Sequence, residues 1–197
     1  MRNFRIQFLV LILLLAYGPV HAEGFLIGLE YESEKDAKTG ITNRGLSVIP
    51  GWEFSEENLI NRVEVLLEHN KDTSADSDGL IGKENKVFLR LRHDGEISDR
   101  VEYYVRGGVG RSFNDERNFN YAYVEPALVF KLSERWEWAL AFRESNSIDG
   151  TAGEHVGKFI TGPNFDLDKN NEIELRYVQG SGDEKARSWL VEYVHRF

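Results

Sequence analysis

The sequence predicts an all-β fold: a transmembrane antiparallel up-and-down β-barrel of about ten strands that follows a cleaved signal peptide. Two observations predict it. Apolar and polar residues alternate with a period of two in runs of about ten residues, as expected for strands with one apolar face. The polar faces of these runs are rich in Arg and Glu, so the apolar faces are expected to meet lipid and the charged faces an enclosed lumen.

The first 22 residues are interpreted as a secretory signal peptide. Arg2 and Arg5 precede an apolar stretch over residues 6–17, and the small-residue pattern Val20-His21-Ala22 follows. The stretch is shorter than the roughly 20 apolar residues that a membrane-spanning helix needs. We therefore expect cleavage after Ala22 and a single barrel domain over residues 23–197.

The first five strands are predicted by outward apolar residues at alternate positions, such as Phe25 to Tyr31 in the first strand. A polar turn, Ser55-Glu56-Glu57-Asn58, joins the second strand to the third, and Asp94-Gly95 supplies turn residues between the fourth and the fifth. The segment 71–84, rich in Asp, Ser and Gly, is expected to form a long outer loop. The five ranges are 24–33, 43–54, 59–70, 85–94 and 100–111.

The last five strands repeat the pattern, and the seventh shows it best, because Trp136, Trp138, Leu140 and Phe142 alternate with smaller or charged residues. A second long outer loop is expected over residues 145–154. The five ranges are 120–131, 135–144, 155–166, 171–179 and 187–197. Such lengths suit tilted strands that cross a bilayer, and an even number lets the first and last strands pair and remove the sheet edges. Eight or twelve strands also fit the pattern.

A repeated proline supports the register. Pro50, Pro126 and Pro163 each precede bulky apolar residues on the same face by two positions, close to the end of an even-numbered strand. The alternation offers no reason for a proline there, since it removes a ladder hydrogen bond. Aromatic residues near these positions are expected to form a girdle at the headgroup level, with the core of a soluble β-sandwich as the alternative. They are Trp52, Phe54, Phe130, Trp136, Trp138, Phe165 and Phe197.

The chain ends in an alternating aromatic run that includes Tyr193 and closes on Phe197. This ending resembles the assembly signal of bacterial outer-membrane β-barrels. The resemblance implies insertion by the barrel assembly machinery into the outer membrane of a Gram-negative cell. It also implies contact with outer-membrane lipid and lipopolysaccharide.

Composition excludes several classes of function. The formal net charge is −9, which argues against nucleic acid as a partner because phosphate binding depends on clustered Lys and Arg. There is no cysteine, so neither disulfides nor thiolate-bound metals are available. The five histidines are scattered and show no metal-binding spacing. We expect no metal and no cofactor.

Charged residues at inward positions suggest two functions. Arginines on the third to fifth strands and glutamates elsewhere would give a narrow pore with basic and acidic walls, a path for small anionic or zwitterionic solutes. Alternatively, Arg and Glu side chains pair across the narrow lumen and seal it, because a ten-stranded barrel has little room beyond its own side chains. Gly108 and Gly110, also inward, are expected to widen the upper lumen.

Basic and acidic tracts within predicted strands carry a family resemblance: Leu89-Arg90-Leu91-Arg92-His93, Ala141-Phe142-Arg143-Glu144 and Glu174-Leu175-Arg176-Tyr177. Together with the signal peptide and the aromatic terminus, the chain resembles the small monomeric porins specific for acidic oligosaccharides, the oligogalacturonate porin family. That family is usually longer, with twelve strands. The resemblance implies a monomer, passive diffusion of a small anionic solute, and pore-lining arginines at Arg62, Arg90, Arg92, Arg106, Arg143 and Arg176.

Inward glutamates complete the predicted pore lining, at positions where they would keep an anionic solute from binding too tightly. They are Glu64, Glu102, Glu125 and Glu174.

A hydrolase is the weaker alternative. Ser145 or Ser147 could meet His155 across an outer loop, with Glu144 or Asp149 as the acid, but this spacing matches no catalytic motif. Three further aspartates, Asp72, Asp76 and Asp78, lack the glycine and distal glutamate of a calcium loop. The sequence thus predicts no catalytic residues.

Overall fold

A computed structural model describes residues 23–55, 58–73, 82–114, 118–149, 155–182 and 185–197. Ten strands form one closed antiparallel barrel, in which each strand pairs with its neighbours along the chain and the first pairs with the last. They are β1 (Gly24–Asp36), β2 (Thr42–Glu53), β3 (Arg62–Asp72), β4 (Lys83–Ser98), β5 (Val101–Asn114), β6 (Asn118–Lys131), β7 (Trp136–Ser147), β8 (His155–Asp168), β9 (Asn171–Gly182) and β10 (Ala186–Arg196). Among the described residues, no helix is long and apolar enough to cross a membrane.

The barrel confirms the predicted fold class and strand number, and each predicted strand overlaps one observed strand. Several strands reach further at the outer end than expected, so that β3 ends at Asp72 and β7 at Ser147. The predicted signal peptide, the centre of the turn after β2 and the loop aspartates Asp76 and Asp78 lie outside the described residues.

The turn predicted at Asp94-Gly95 is wrong. β4 continues to Ser98, and Asp94 and Gly95 pair with Tyr104 and Tyr103 of β5. The ring of Tyr103 covers Gly95, because a Cβ atom there would lie 2.5 Å from it. A cross-strand aromatic residue over a glycine compensates for the missing side chain and keeps this position in the sheet.

Side chains alternate between the lumen and the outer surface as the sequence predicts. The outer face exposes large apolar residues around the whole barrel, among them Leu29, Leu46, Val109, Phe142 and Trp189. Exposed apolar surface on this scale is typical of a protein that contacts lipid.

The structure explains the repeated proline. Each of Pro50, Pro126 and Pro163 pairs with the preceding strand, while the ladder to the following strand is interrupted at that point. The interruption follows from the missing proline N–H, which cannot donate to the next strand. Three even-numbered strands therefore share a local gap in the sheet at corresponding positions.

Aromatic side chains cluster at the end of the barrel that carries both termini. Trp136 packs against Phe165 with ring centroids 4.6 Å apart, and Phe25 packs against Trp52 at 5.7 Å and Phe197 at 5.6 Å. Phe25 was not among the predicted girdle residues, but it links two of them. These contacts join the first, second and last strands at one level.

Candidate functional site

The lumen contains two cavities, one toward each end of the barrel. The upper cavity, on the side away from the termini, encloses about 350 Å³ and is lined by side chains from all ten strands. The lower cavity, on the side of the termini, encloses about 530 Å³. The two cavities share no lining residue.

Four ionised side chains form a charged belt between the cavities: Glu64, Arg90, Arg106 and Glu125. The Nε atom of Arg90 lies 3.0 Å from a carboxylate oxygen of Glu64, and Arg106 lies 3.7 Å from Glu125. All four are at most 7% exposed. Burial of both signs together is tolerable because each charge has an opposite charge beside it.

Glu125 is the most heavily bonded member of the belt. Arg143 of β7 donates to it at 2.5 Å and the Tyr104 hydroxyl at 3.0 Å, in addition to the contact with Arg106. Three neighbouring strands are therefore joined through one carboxylate. The guanidinium groups of Arg92 and Arg106 also lie over the Tyr104 ring, with centroid distances of 4.2 and 5.4 Å.

All the residues predicted to line a pore face the lumen, at different heights. Glu64 lies in the belt between the cavities. Those of the upper cavity are Arg90, Arg106, Arg143, Arg176, Glu125 and Glu174, and those of the lower cavity are Arg62, Arg92 and Glu102. The structure brings most of the arginines and glutamates into pairs between neighbouring strands or within one strand.

Arg176 donates hydrogen bonds to the backbone in addition to its 2.7 Å ion pair with Glu174. Its Nη1 atom points at the carbonyl oxygens of Gly162 and Pro163, at 3.3 and 3.1 Å. These carbonyls lie at the gap that Pro163 leaves between β8 and β9. The side chain therefore supplies hydrogen bonds where the ladder cannot.

An aromatic wall in the upper cavity was missed by the sequence analysis. It consists of Phe88, Phe119, Tyr121 and Tyr123, with Phe88 4.2 Å from Tyr121 and 5.8 Å from Tyr123 between ring centroids. Part of the signal was available, because 121 and 123 occupy inward positions of the predicted strand 120–131, whereas 119 lies just before it.

The expectation that Gly108 and Gly110 widen the upper lumen is wrong. A Cβ atom on Gly108 would lie 2.5 Å from the Tyr123 ring, and one on Gly110 would lie 2.4 Å from the Phe88 ring. The aromatic wall thus fills the space that the glycines leave. Small inward residues here accommodate large ones on adjacent strands.

An acidic wall faces the belt from β1 and β10, formed by Glu30, Glu32 and Glu192. Glu30 and Glu192 are paired across the two strands and are 8% and 5% exposed. Among the described residues, the only hydrogen bond to Glu30 comes from the Ser47 hydroxyl at 3.2 Å, and Glu192 forms no hydrogen bond or ion pair. The wall therefore holds carboxylates that no cation in the described part of the chain contacts directly.

Higher in the upper cavity, an ion pair between described residues joins strands that are not neighbours. Lys158 of β8 lies 3.2 Å from Glu34 of β1, although β9 and β10 separate these strands along the wall. The lumen is narrow enough there for side chains of strands three positions apart to meet.

The structure brings two of the hydrolase candidates together, since His155 Nδ1 lies 3.7 Å from a carboxylate oxygen of Glu144, but it does not place Ser145 with them. Ser145 lines the upper cavity, whereas His155 occupies the opposite face of the sheet and contacts Asn146 at 2.8 Å. Asp149 instead accepts hydrogen bonds from the backbone and side-chain nitrogens of Asn120, which hold the pKa of its carboxyl below the usual value. Within the described residues, no group of three His, Asp or Glu is placed to hold a metal ion.

The two residues predicted as an assembly signal lie near the end of the chain that closes the barrel. The Tyr193 hydroxyl donates to Asn171 at 2.5 Å, and the Phe197 backbone N–H donates to the Phe25 carbonyl at 2.9 Å. Phe197 itself is 69% exposed on the outside. Its ring is therefore accessible from the membrane side of the barrel.

No protein-family model matches the sequence, and no curated protein matches it. Among solved structures, the chain is similar to the β domain of the Bordetella autotransporter BrkA (TM-score 0.54, 8% identity, 87% of this chain and 98% of that one). It is also similar to the transport unit of the Escherichia coli autotransporter AIDA-I (TM-score 0.54, 14% identity, 90% and 78%). The KdgM porin in complex with disordered oligogalacturonate matches at a TM-score of 0.48, with 10% identity over 87% and 99% of the two chains.

The fold is that of outer-membrane β-barrels. At these identities the similarity extends to the architecture and not to the residues of the lumen.

Proposed function

We propose that the protein is a monomeric outer-membrane channel for passive diffusion of small hydrophilic solutes that carry an anionic group. The barrel would lie in outer-membrane lipid, with the 37–41 connection on the lipopolysaccharide side and the termini in the periplasm. The acidic oligosaccharides to which porins of the resembled family are specific are one class of such solutes. We further propose that the barrel assembly machinery inserts the chain.

The observation that supports this proposal most directly is the pair of charged cavities on either side of a thin belt. Side chains alone form this barrier in the described residues, and side-chain pairs can exchange partners as a solute passes. Arg90 donates to Glu64 through Nε, while its Nη2 atom is buried without a partner. A solute carboxylate could bind this free donor before the Glu64 contact breaks, because guanidinium groups bind carboxylates with two donors.

The belt also explains how an acidic protein could prefer anions. Carboxylates outnumber basic groups in the lining of both cavities, so selectivity toward anions has to arise at the narrowest point. There Arg90, Arg106 and Arg143 contact two carboxylates directly, Glu64 and Glu125. These contacts place three guanidinium groups around two carboxylates, so the belt is richer in basic groups, relative to acidic ones, than either cavity lining.

A sealed barrel with a surface role is the second candidate, and burial of the belt favours it. Glu64 and Glu125 are 2% and 1% exposed, as in a packed interior. A barrel closed in this way would act through its outer loops.

Single-channel recording of the refolded mature chain in a planar bilayer under asymmetric salt distinguishes the two. We expect small steady steps with anion preference. The double variant Arg90→Gln/Glu64→Gln, which removes a belt pair without changing the net charge, should raise the conductance and reduce the preference. A silent bilayer, with a barrel that shows heat-modifiable migration on a gel, would contradict the channel. Conductance steps with a preference for cations would support a channel but contradict the proposal that its solute is anionic.

A further inference from the structure

The upper cavity places unused donors opposite unused acceptors. Among described side chains, the buried atoms without a hydrogen-bond partner include Arg90 Nη2, Arg106 Nε and the hydroxyls of Tyr121 and Tyr123. All four residues line the upper cavity. Buried polar groups are normally satisfied, so a cluster of unsatisfied donors around one cavity indicates a missing partner.

Arg90 and Tyr123 define the anion-binding side most closely. They are 3% and 8% exposed, and both side chains stand at the boundary between the belt and the aromatic wall. Glu64 occupies the Nε side of the Arg90 guanidinium and leaves the Nη2 side without a partner. One more carboxylate fits the chemistry of this position, with the Tyr123 hydroxyl as a second donor.

The acidic wall supplies the opposite charge within the same cavity. Glu30 and Glu192 are buried and lie directly opposite each other, and no cation of the residues that the structure describes is in contact with them. Arg90 interacts electrostatically with both. A ligand ammonium between the two carboxylates would relieve the repulsion of the pair, which the protein's own side chains leave in place.

The aromatic wall fits the remaining part of such a ligand. Phe88 and Tyr121 line the cavity beside the donors and present ring surface to it. A volume of about 350 Å³ is within the range of small-molecule sites. The cavity therefore offers an anion-binding end, a cation-binding end and an apolar surface.

We propose that the upper cavity is a binding site for a small zwitterion, an amino acid with an apolar side chain, whose carboxylate is held by Arg90 and Tyr123 and whose ammonium is held by Glu30 and Glu192. This deepens the proposed channel function by narrowing the solute class, and it rests on that function for its physiological meaning. Binding itself does not require conduction. The two can therefore be tested separately.

The test measures binding of L-phenylalanine to the refolded mature barrel in detergent by isothermal titration calorimetry. Two analogues each lack one charge: N-acetyl-L-phenylalanine keeps only the carboxylate, and L-phenylalaninamide keeps only the ammonium. We expect the zwitterion to bind about tenfold more tightly than either analogue. Each analogue lacks one hydrogen-bonded charge, and the loss of one such interaction weakens binding by about this factor. Equal binding of either analogue, or no binding of L-phenylalanine, would overturn the proposal.

Two variants remove groups that form no hydrogen bond or ion pair with the described residues, so we expect both variants to keep the fold. Glu192→Gln and Tyr123→Phe should each weaken L-phenylalanine binding about tenfold. The matched controls are Glu137→Gln, which removes a carboxylate of the lower cavity, and Tyr103→Phe, on the outer face, and both should bind L-phenylalanine as the parent does. Weakening by the controls equal to that of the variants would overturn the assignment. If the bilayer shows no conductance while L-phenylalanine still binds, the channel proposal would be wrong and the binding-site proposal would stand.

Discussion

Glu30 and Glu192 lie directly opposite each other in β1 and β10, the strands whose pairing closes the barrel. Like charges at directly opposed positions of antiparallel strands are destabilising. We therefore expect Glu192→Gln to raise the free energy of unfolding, by about 1 kcal/mol or less, because it removes this repulsion without losing a bond. Urea unfolding of the refolded barrel in lipid vesicles, followed by tryptophan fluorescence, measures the change.

Glu102→Gln is the control for this prediction. Glu102 forms an ion pair with Lys131 at the lower rim, so its neutralisation should leave stability unchanged or slightly reduced. If Glu192→Gln were instead the less stable of the two variants, Glu192 would have a stabilising partner outside the contacts described above. A stabilising substitution that weakens ligand binding would indicate that the acidic wall is retained for function.

The belt pair Arg90–Glu64 should show strong thermodynamic coupling. Glu64→Gln leaves Arg90 buried and unpaired, at a cost of roughly 3 kcal/mol. Arg90→Gln should cost less, about 2 kcal/mol, because Arg62 stays 3.8 Å from Glu64. The double substitution removes both charges and should cost no more than about 3 kcal/mol. A double-mutant cycle on unfolding free energies should therefore give a coupling energy of about 2 kcal/mol. The half-exposed rim pair Lys131–Glu102 provides the matched cycle, with expected coupling below about 1 kcal/mol. Equal coupling energies in the two cycles would mean that the belt pair is as well solvated as the rim pair, which would contradict the burial of the belt.

The sequence predicts the barrel well because period-two alternation reports directly which face each residue occupies. The strand of Trp136 and Phe142 was placed within a few residues of its observed bounds, and the pairing of first and last strands followed from the need to remove edges. Asp94-Gly95 failed because turn propensity is local, whereas the Tyr103 ring that covers Gly95 comes from the next strand.

The lumen is harder to predict because its contacts depend on strand register and on side-chain reach. Alternation shows which face of the sheet a residue occupies, but not its height along the barrel axis. It therefore could not predict that Arg143 and Arg106 both contact Glu125. The same limit applies to Gly108, whose apparent space is filled by Tyr123. Charge content indicated an ionised interior, and only the structure divides it into a belt, an aromatic wall and an acidic wall.

Arg176 should contribute more to stability than its ion pair alone predicts. Arg176→Met removes the donors to the carbonyls of Gly162 and Pro163 and leaves Glu174 unpaired, so we expect a loss of about 3 kcal/mol in unfolding free energy. Arg176→Lys retains the charge for Glu174, but it lacks the planar group that serves carboxylate and carbonyls together. It should recover only part of the loss. Full recovery by Lys would show that the carbonyl contacts contribute nothing.

Phe197 should matter more for assembly in the cell than for the stability of the finished barrel. Its ring is 69% exposed and contacts Phe25 at 5.6 Å, while the backbone bond to the Phe25 carbonyl does not depend on the side chain. Phe197→Ala should therefore lower the amount of heat-modifiable barrel in the outer-membrane fraction severalfold, yet leave the denaturant midpoint of the refolded protein nearly unchanged. Trp189→Ala is the matched control, because Trp189 is also an outward aromatic residue of β10 and is 57% exposed, but it lies at the opposite end of the strand, against Tyr177. Equal membrane levels for the two variants would mean that the terminal ring has no special part in insertion, and a large drop in the midpoint of Phe197→Ala would assign it to the girdle instead.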